Sequence, residues 1–193
     1  HVIYDEVVPT LSTASISSNN SNGATIAKVG DVITLNIVAE EPIQTPSIEI
    51  AGRSGSGAAS LSNSTSGLSV YTSTYTMLDG DTEGAVTFSI DFSDLASNAG
   101  TQVTTLINDA DGSGITFDKT PPYFNETTAQ GTGVISISSN NSDNTVAVLG
   151  DVVTLSLTST EAIKAGSDPT VTINGNNATV TRNSTTTFTA TYT

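Results

Sequence analysis

Apolar and polar residues alternate along several short stretches of the chain. In residues 31–39, DVITLNIVA, the apolar residues Ile33, Leu35, Ile37 and Ala39 stand at every second position. A period of two places these side chains on one face of a β-strand and the polar ones on the other. The pattern therefore predicts a strand with one buried face.

The same alternation recurs elsewhere, and turn sequences separate the stretches. Further alternations occur at Val86/Phe88/Ile90/Phe92, Ile48/Ile50, Tyr71/Tyr75 and Ile115/Phe117. The turn clusters between them are SNNSNG (18–23), GRSGSG (52–57), DGDTEG (79–84), SNAG (97–100) and DADGSG (109–114). Such clusters are rich in the residues that turns require. The sequence predicts an all-β fold of antiparallel immunoglobulin-like β-sandwich modules, with seven to eight short strands each.

One passage of the chain is repeated. The letters SISSNN stand at residues 15–20 and again at residues 136–141, and residues 16–37 align with residues 137–157 after one deletion. The alignment continues through Glu41 with Glu161, PSIEIAG (46–52) with PTVTING (169–175), and YTSTYT (71–76) with FTATYT (188–193). Repeats of this length are typical of tandem modules.

The ends of the two copies predict the module boundaries. The first copy closes on ITFDKTPP, and VIYDEVVP near the start of the chain has the same pattern. Residues 1–9 are therefore expected to be the last strand and linker of a preceding module. Residues 10–121 form a complete module, and residues 122–193 an incomplete second one. We expect a window on a longer tandem array; the alternative is that another chain supplies the missing strands.

Several of these passages carry a resemblance to a known family. They are GDVITLNIVAEEPI (30–43), PSIEIAG (46–52), YTSTYTMLDGDTEGAVTFSIDFSDLASNAG (71–100) and ITFDKTPP (115–122). Together they resemble the bacterial-type immunoglobulin-like tandem repeats of very large extracellular surface proteins, including adhesins. The resemblance implies modules that follow one another like beads in an extended, secreted or cell-surface fibre.

The charge of the chain excludes several partners. Nineteen acidic and five basic residues give a formal net charge of -14. Such a surface repels nucleic acid and anionic lipid, so neither is an expected partner, whereas cations and neutral glycans are compatible with it. The chain has no Cys, which excludes disulfides and thiolate metal sites. No run of 18 apolar residues is present, and we expect no membrane contact within these residues.

The residues expected of an enzyme are largely missing. His1 is the only histidine, so a copper site that needs a second histidine cannot form, and the common bases and nucleophile pairs are absent. The acidic residues stand in turns and at strand ends, where solvated surface is the ordinary interpretation. We expect no catalytic activity.

Calcium is the cofactor that the acidic residues favour, because it binds six to eight oxygen ligands. Carboxylates at matching places in the repeat are Asp5 with Asp118, Asp31 with Asp151, and Glu41 with Glu161. Carboxylates clustered in turns are Asp79, Asp81 and Glu83, and Asp109 and Asp111. An ion bound at the module junction by Asp118 would stiffen the array. The alternative is that these residues cap turns and keep the protein soluble.

Six N-x-S/T sequons are present, about as many as chance gives in a chain so rich in Asn, Ser and Thr. They lie at Asn19, Asn63, Asn125, Asn140, Asn177 and Asn183. All six fall in expected turns or linkers, and Asn19 and Asn140 occupy the same place in each copy. This position is compatible with glycosylation and equally with an unmodified polar surface.

These observations predict a structural role. We expect spacer modules of an extracellular or cell-surface fibre, filamentous appendage or adhesin stalk, in which Pro121 and Pro122 stiffen the linker. The partners would be neighbouring modules of the same chain, other copies in a fibre, or glycans. One alternative is a glycan- or protein-binding adhesion module acting through exposed loops such as residues 52–69, whose counterpart is residues 175–187. Another is an accessory domain of a secreted hydrolase.

Overall fold

A computed structural model describes residues 4–53, 60–62, 65–110, 112, 114–124 and 134–193. Within these residues the chain is all-β and contains no helix, which confirms the all-β part of the predicted fold. The chain divides into two compact units, unit 1 (His1–Lys119) and unit 2 (Thr120–Thr193).

Unit 1 is built from nine strands among the described residues. They are β1 (Leu11–Ser18), β2 (Ile26–Ala27), β3 (Val32–Ile43), β4 (Ser47–Ile50), β5 (Ser60–Leu61), β6 (Leu68–Thr76), β7 (Gly84–Ala85), β8 (Phe88–Asp91) and β9 (Thr116–Phe117). Four of them, β2, β5, β7 and β9, are only two residues long.

The largest sheet of unit 1 has the strand order β1-β3-β6-β5, with every neighbouring pair antiparallel. Its register pairs Ile37 with Tyr71 and Ile33 with Tyr75. The apolar residues that alternate in the sequence of β3 are all buried, as the period of two predicts.

Two smaller sheets supply the other side of the unit 1 core. Strands β4 and β8 pair antiparallel, and a second small sheet has the order β2-β9-β7. Phe88, Ile90 and Phe117 from these sheets belong to one buried cluster with the inward side chains of β3 and β6. This arrangement is consistent with a β-sandwich.

One strand pair departs from the expected antiparallel pattern. Strand β9 runs parallel to β2, with Ile26 opposite Thr116 and Ala27 opposite Phe117. Alternation in a sequence reports which face a side chain occupies but not the direction of the neighbouring strand, so this pair could not be foreseen.

Unit 2 contains six strands among the described residues. They are β10 (Val134–Ser139), β11 (Val153–Thr158), β12 (Thr172–Ile173), β13 (Asn176–Asn177), β14 (Thr179–Arg182) and β15 (Thr187–Tyr192). Its four-stranded sheet has the order β10-β11-β15-β14, and its neighbouring strands are antiparallel.

The large sheets of the two units correspond strand by strand. In unit 1, Leu35 lies opposite Ile16 on one side and Ser73 on the other. In unit 2, Leu155 lies opposite Ile137 and Ala190, which are the residues that the sequence alignment pairs with these. The internal repeat in the sequence is thus matched by a repeat in sheet order and register.

A tight turn is also repeated. In unit 1 the turn after β4 passes through Ala51 and Gly52 at φ 54° and 69°, and in unit 2 the β12–β13 hairpin turns through Asn174 and Gly175 at φ 50° and 78°. Two successive positive φ angles define the turn that suits the twist of a hairpin, and Asn-Gly is its preferred sequence. Ala51 is the one residue of the four whose side chain is poorly suited to this conformation.

Candidate functional site

Three carboxylates of unit 1 converge at one place. Asp5 comes from the segment before β1, Glu41 from β3, and Asp94 from the turn after β8. One oxygen from each lies within 4.8 Å of the other two. Asp5 is exposed, Glu41 is half-buried and Asp94 is buried.

The buried member, Asp94, is held by the turn that follows it. Its two carboxylate oxygens accept hydrogen bonds from the backbone N and the side-chain Nδ2 of Asn98, each at 2.7 Å. The same Nδ2 also donates to the backbone oxygen of Asp5 at 3.1 Å. Burial raises the pKa of Asp94, but the bonds from Asn98 and neighbouring amides outweigh it and leave the pKa below its usual value.

Three ionised carboxylates this close repel one another, and a hard cation would relieve that repulsion. Asp5 and Glu41 are residues that the repeat had singled out. Asp94 is not, and the signal that could have found it is the Asp94–Asn98 spacing within SDLASN, where an Asp four residues before an Asn caps a tight turn.

The counterparts of Asp5 and Glu41 in the repeat are Asp118 and Glu161. Asp118 follows β9, and its backbone N donates to the oxygen of Ala27 at 2.8 Å. The backbone oxygen of Glu161 in unit 2 accepts a hydrogen bond from Ser159 Oγ.

The turn DGDTEG (79–84) contacts two basic side chains of the same chain, Arg53 and Lys119. Asp81 is buried, and its carboxylate accepts hydrogen bonds from Tyr75 Oη at 2.8 and 3.0 Å and from Leu78 N at 2.8 Å. The guanidinium of Arg53 completes the cluster, with Nη2 3.1 Å from an Asp81 oxygen. Burial, and then the bond to Asp81, raise the pKa of Tyr75.

Lys119 occupies the other side of the same turn. Its Nζ donates to the backbone oxygens of Asp79 at 2.6 Å and Asp81 at 3.1 Å, and its backbone N donates to Glu83 Oε1 at 2.8 Å. The protein therefore supplies its own cations to this turn, an alternative to calcium that the sequence interpretation did not weigh. Lys119 belongs to the DKTPP linker, so these bonds tie the start of the linker to unit 1.

The second acidic turn is only partly described. Asp109 is half-buried, and its buried Oδ2 has no hydrogen-bond partner among the described residues. Asp111 lies outside the described residues.

The repeated letters SISSNN correspond to a hydrogen-bonded network that we call the Asn–Asp lock. In unit 1, Asn19 Oδ1 accepts a hydrogen bond from Val32 N at 2.7 Å. Asp31 Oδ2 accepts bonds from Asn20 Nδ2 at 2.5 Å and from Lys28 N at 2.8 Å. Two short loops, one on each side of β2, are thereby fastened together.

Unit 2 repeats the Asn–Asp lock residue by residue. Asn140 Oδ1 accepts from Val152 N at 2.9 Å, and Asp151 Oδ2 accepts from Asn141 Nδ2 and Val148 N, both at 2.8 Å. Asp31 and Asp151 were calcium candidates in the sequence. In each of them, one carboxylate oxygen accepts hydrogen bonds from equivalent donors, an asparagine side chain and a backbone amide.

Both lock carboxylates have a lowered pKa. Burial raises the pKa of Asp31, but the bonds from Lys28 N and Asn20 outweigh it. The bond from Asn141 is the largest cause for Asp151, followed by that from Val148 N. A carboxylate that accepts such bonds is favoured in its charged form.

Four sequons lie within the described residues. Asn19, Asn140, Asn177 and Asn183 are all exposed, as an acceptor site requires. The Oδ1 atoms of Asn19 and Asn140 are used by the lock. Asn63 and Asn125 lie outside the described residues.

Comparison with protein-family models and with curated proteins finds no match for the chain. Among the described residues, no helix has the length and apolar character needed to cross a membrane. The functional interpretation therefore rests on the repeat and its geometry.

Proposed function

We propose that the chain consists of tandem immunoglobulin-like spacer modules of a long extracellular fibre, filamentous appendage or adhesin stalk, and that it acts without catalysis. The observation that carries this proposal is that the same arrangement of strands and hydrogen bonds occurs twice in the chain. Each unit has its own four-stranded sheet, with equivalent register and an equivalent Asn–Asp lock. Repeated units suit a protein whose length is its function.

The linker supports a stiff array. Lys119 is bonded to two backbone oxygens of the DGDTEG turn, and Pro121 and Pro122 follow at once. A linker fixed at its start and restricted in φ beyond it loses most of its freedom to bend. Stiffness between neighbouring modules favours a rod over a flexible string.

Labelling of the native protein tests this proposal. An antibody raised against the 193-residue chain should decorate extracellular filaments at regular intervals, as observed by electron microscopy. Label inside cells, or on compact particles without periodicity, would contradict the proposal.

A binding role is the second candidate, because the two copies differ in the length of one segment. Segment 52–69, expected to be a loop, contains β5 and the start of β6, and it is longer than its counterpart 175–187, which contains β13 and β14. Residues 54–59 and 63–64 lie outside the described residues. When two copies share the same sheets, a segment that differs between them is a common place for a ligand-binding function. A glycan array probed with the chain, and with a variant carrying residues 175–187 in place of 52–69, separates the roles: loop-dependent binding would favour an adhesion module.

A further inference from the structure

The chain enters and leaves unit 1 at opposite ends of its large sheet. At the entry end, Leu11, the first residue of β1, pairs with Ala39 of β3. At the exit end, Thr76, the last residue of β6, pairs with Val32, the first residue of β3. Along a β-strand, the distance from Val32 to Ala39 is about 20 Å.

Lys119 marks the exit, and β9 leads straight to it. Lys119 Nζ donates to the backbone oxygens of Asp79 at 2.6 Å and Asp81 at 3.1 Å, in the turn that follows β6 at the exit end. Strand β7 leaves this turn, and β9 runs antiparallel to β7, with Phe117 opposite Gly84. Strand β9 therefore runs towards the exit, and a pull on Lys119 acts along its length.

Strand β9 is hydrogen-bonded along both of its edges. On one edge, Thr116 N and Asp118 N donate to backbone oxygens of the β2 segment at 2.9 and 2.8 Å. On the other edge, Ile115 O accepts a bond from Val86 N at 2.8 Å. The side chain of Phe117 between them is fully buried. Bonds between strands lie across the strand direction, so a pull along β9 strains them together.

The entry of unit 1 is anchored as well. Pro9 is fully buried, and Thr10 O accepts a hydrogen bond from Glu40 N at 3.0 Å. Strand β1 then pairs with β3 along its length, and on its other edge Ala14 and Ile107 exchange two backbone bonds of 3.0 Å. A pull on the entry, directed away from Lys119, therefore acts along β1.

We infer that unit 1 transmits force. Tension between its entry at Pro9 and its exit at Lys119 is borne lengthwise by β1 and β9, and the bonds of Lys119 to the DGDTEG turn anchor the exit. The inference rests on the proposed fibre and adds that its modules resist pulling along the fibre.

The direction of pulling is the feature that distinguishes this role from ordinary stability. Bonds that share a load break at a higher force than bonds that are loaded one after another. Forced unfolding depends on the unfolding rate along the pulled direction, so the same bonds give different resistance in different directions. Val29 follows β2 as Pro121 follows β9, and the two strands are parallel. A pull between Val29 and Pro121 would separate the pair from one end, bond by bond.

Single-molecule force spectroscopy of the 193-residue chain compares the two directions. The chain has no Cys, so two introduced cysteines define the points of attachment. One variant carries Val7→Cys and Pro121→Cys, and the other carries Val29→Cys and Pro121→Cys; all three positions are exposed. The first rupture should need about twofold more force in the Val7 variant than in the Val29 variant. Equal forces, or a larger force in the Val29 variant, would overturn the inference.

Lys119→Met, added to the Val7 and Pro121 variant, tests the anchor. It keeps the aliphatic part of the side chain and removes the hydrogen bonds of Nζ, so at constant force the rupture rate should rise about fivefold. Lys164→Met is the matched control, because it removes an equal charge from unit 2, outside the pulled span, and should leave the rate unchanged. An unchanged rate in Lys119→Met, or an equal rise in Lys164→Met, would overturn the role of the anchor.

The comparison of directions leaves Lys119 and the core unchanged, so it decides the inference even if Lys119→Met fails to fold. Neither measurement affects the labelling of native filaments. Labelled filaments built from modules that rupture equally in both directions would refute the inference and leave the proposed fibre standing.

Discussion

At the scale of single residues, the two copies of the repeat serve as controls for each other. Ala51 adopts φ 54° in a turn where the second copy has Asn174. We expect Ala51→Asn to stabilise unit 1 by about 1 kcal/mol, because Asn tolerates the left-handed conformation better than Ala does. Hydrogen exchange read separately in the two units measures the change.

The reverse exchange, Asn174→Ala, should destabilise unit 2 by a similar amount and leave unit 1 unchanged. If Ala51→Asn lowered the protection of unit 1, the turn would owe its stability to the packing of the Ala51 methyl group and not to the backbone.

A second residue-scale prediction concerns a hydroxyl in the core. Ser73 is fully buried, and its Oγ has no hydrogen-bond partner among the described residues. Its counterpart Ala190 is also fully buried. Ser73→Ala should therefore stabilise unit 1 by about 1 kcal/mol, because an unpaired polar group leaves the core. Chemical denaturation of the chain checks this value.

Ala190→Ser is the matched variant, and it should destabilise unit 2. Equal or lower stability of Ser73→Ala would show that the hydroxyl finds a partner in solution.

At the scale of elements, the Asn–Asp lock should make stability depend on pH. The pKa values of Asp31 and Asp151 are lowered in the folded chain. Their contribution is therefore complete above the unfolded pKa of about 3.9, and it is lost as pH falls through the folded pKa. We expect Asp31→Asn to lower the melting temperature of unit 1 by a few degrees at neutral pH, and to lower it less in acid.

Thermal unfolding of wild type and variant at neutral and acidic pH measures this difference. Asp151→Asn should act in the same way on unit 2. If Asp31→Asn lowered the melting temperature by the same amount at both pH values, the charge of the carboxylate would not be the cause of the stabilisation.

The large sheets could be predicted from the sequence because their strands are long enough to show a period. Ile33, Leu35 and Ile37 stand at every second position, which is enough to identify the buried face of the strand, and all three are buried. Strands β2 and β9 could not be predicted in this way. Each has two residues, and they pair across about ninety residues of chain, so no local pattern reports the contact.

The candidate site was predictable to a similar extent. The repeat identified Asp5 and Glu41, because matching carboxylates stand out when two copies are aligned. Asp94 comes close to them only in the folded chain, in the turn held by Asn98. No residue of the second copy aligns with Asp94 in this sequence, so the repeat could not identify it. Arg53 and Lys119 were missed as partners of the DGDTEG turn because neither is close to it in sequence.

At the scale of the whole molecule, the calcium hypothesis remains a prediction. Among the residues that the structure describes, the carboxylates of Asp5, Glu41 and Asp94 converge closely enough to hold an ion. If calcium binds the folded chain alone, adding it should raise the melting temperature and a chelator should reverse the rise. An unchanged midpoint would leave the acidic residues as turn caps and solubilising surface.

The parallel pair of β2 and β9 also has a consequence for how the chain is made. The residues that seal the core of unit 1 are among the last of that unit to be synthesised, whereas their partners are among the first. Contacts so distant along the chain form slowly, because the entropy cost of closing a long loop comes before the contacts contribute any stabilisation. Unit 1 of a nascent chain should therefore stay open until its final strand, β9, leaves the ribosome.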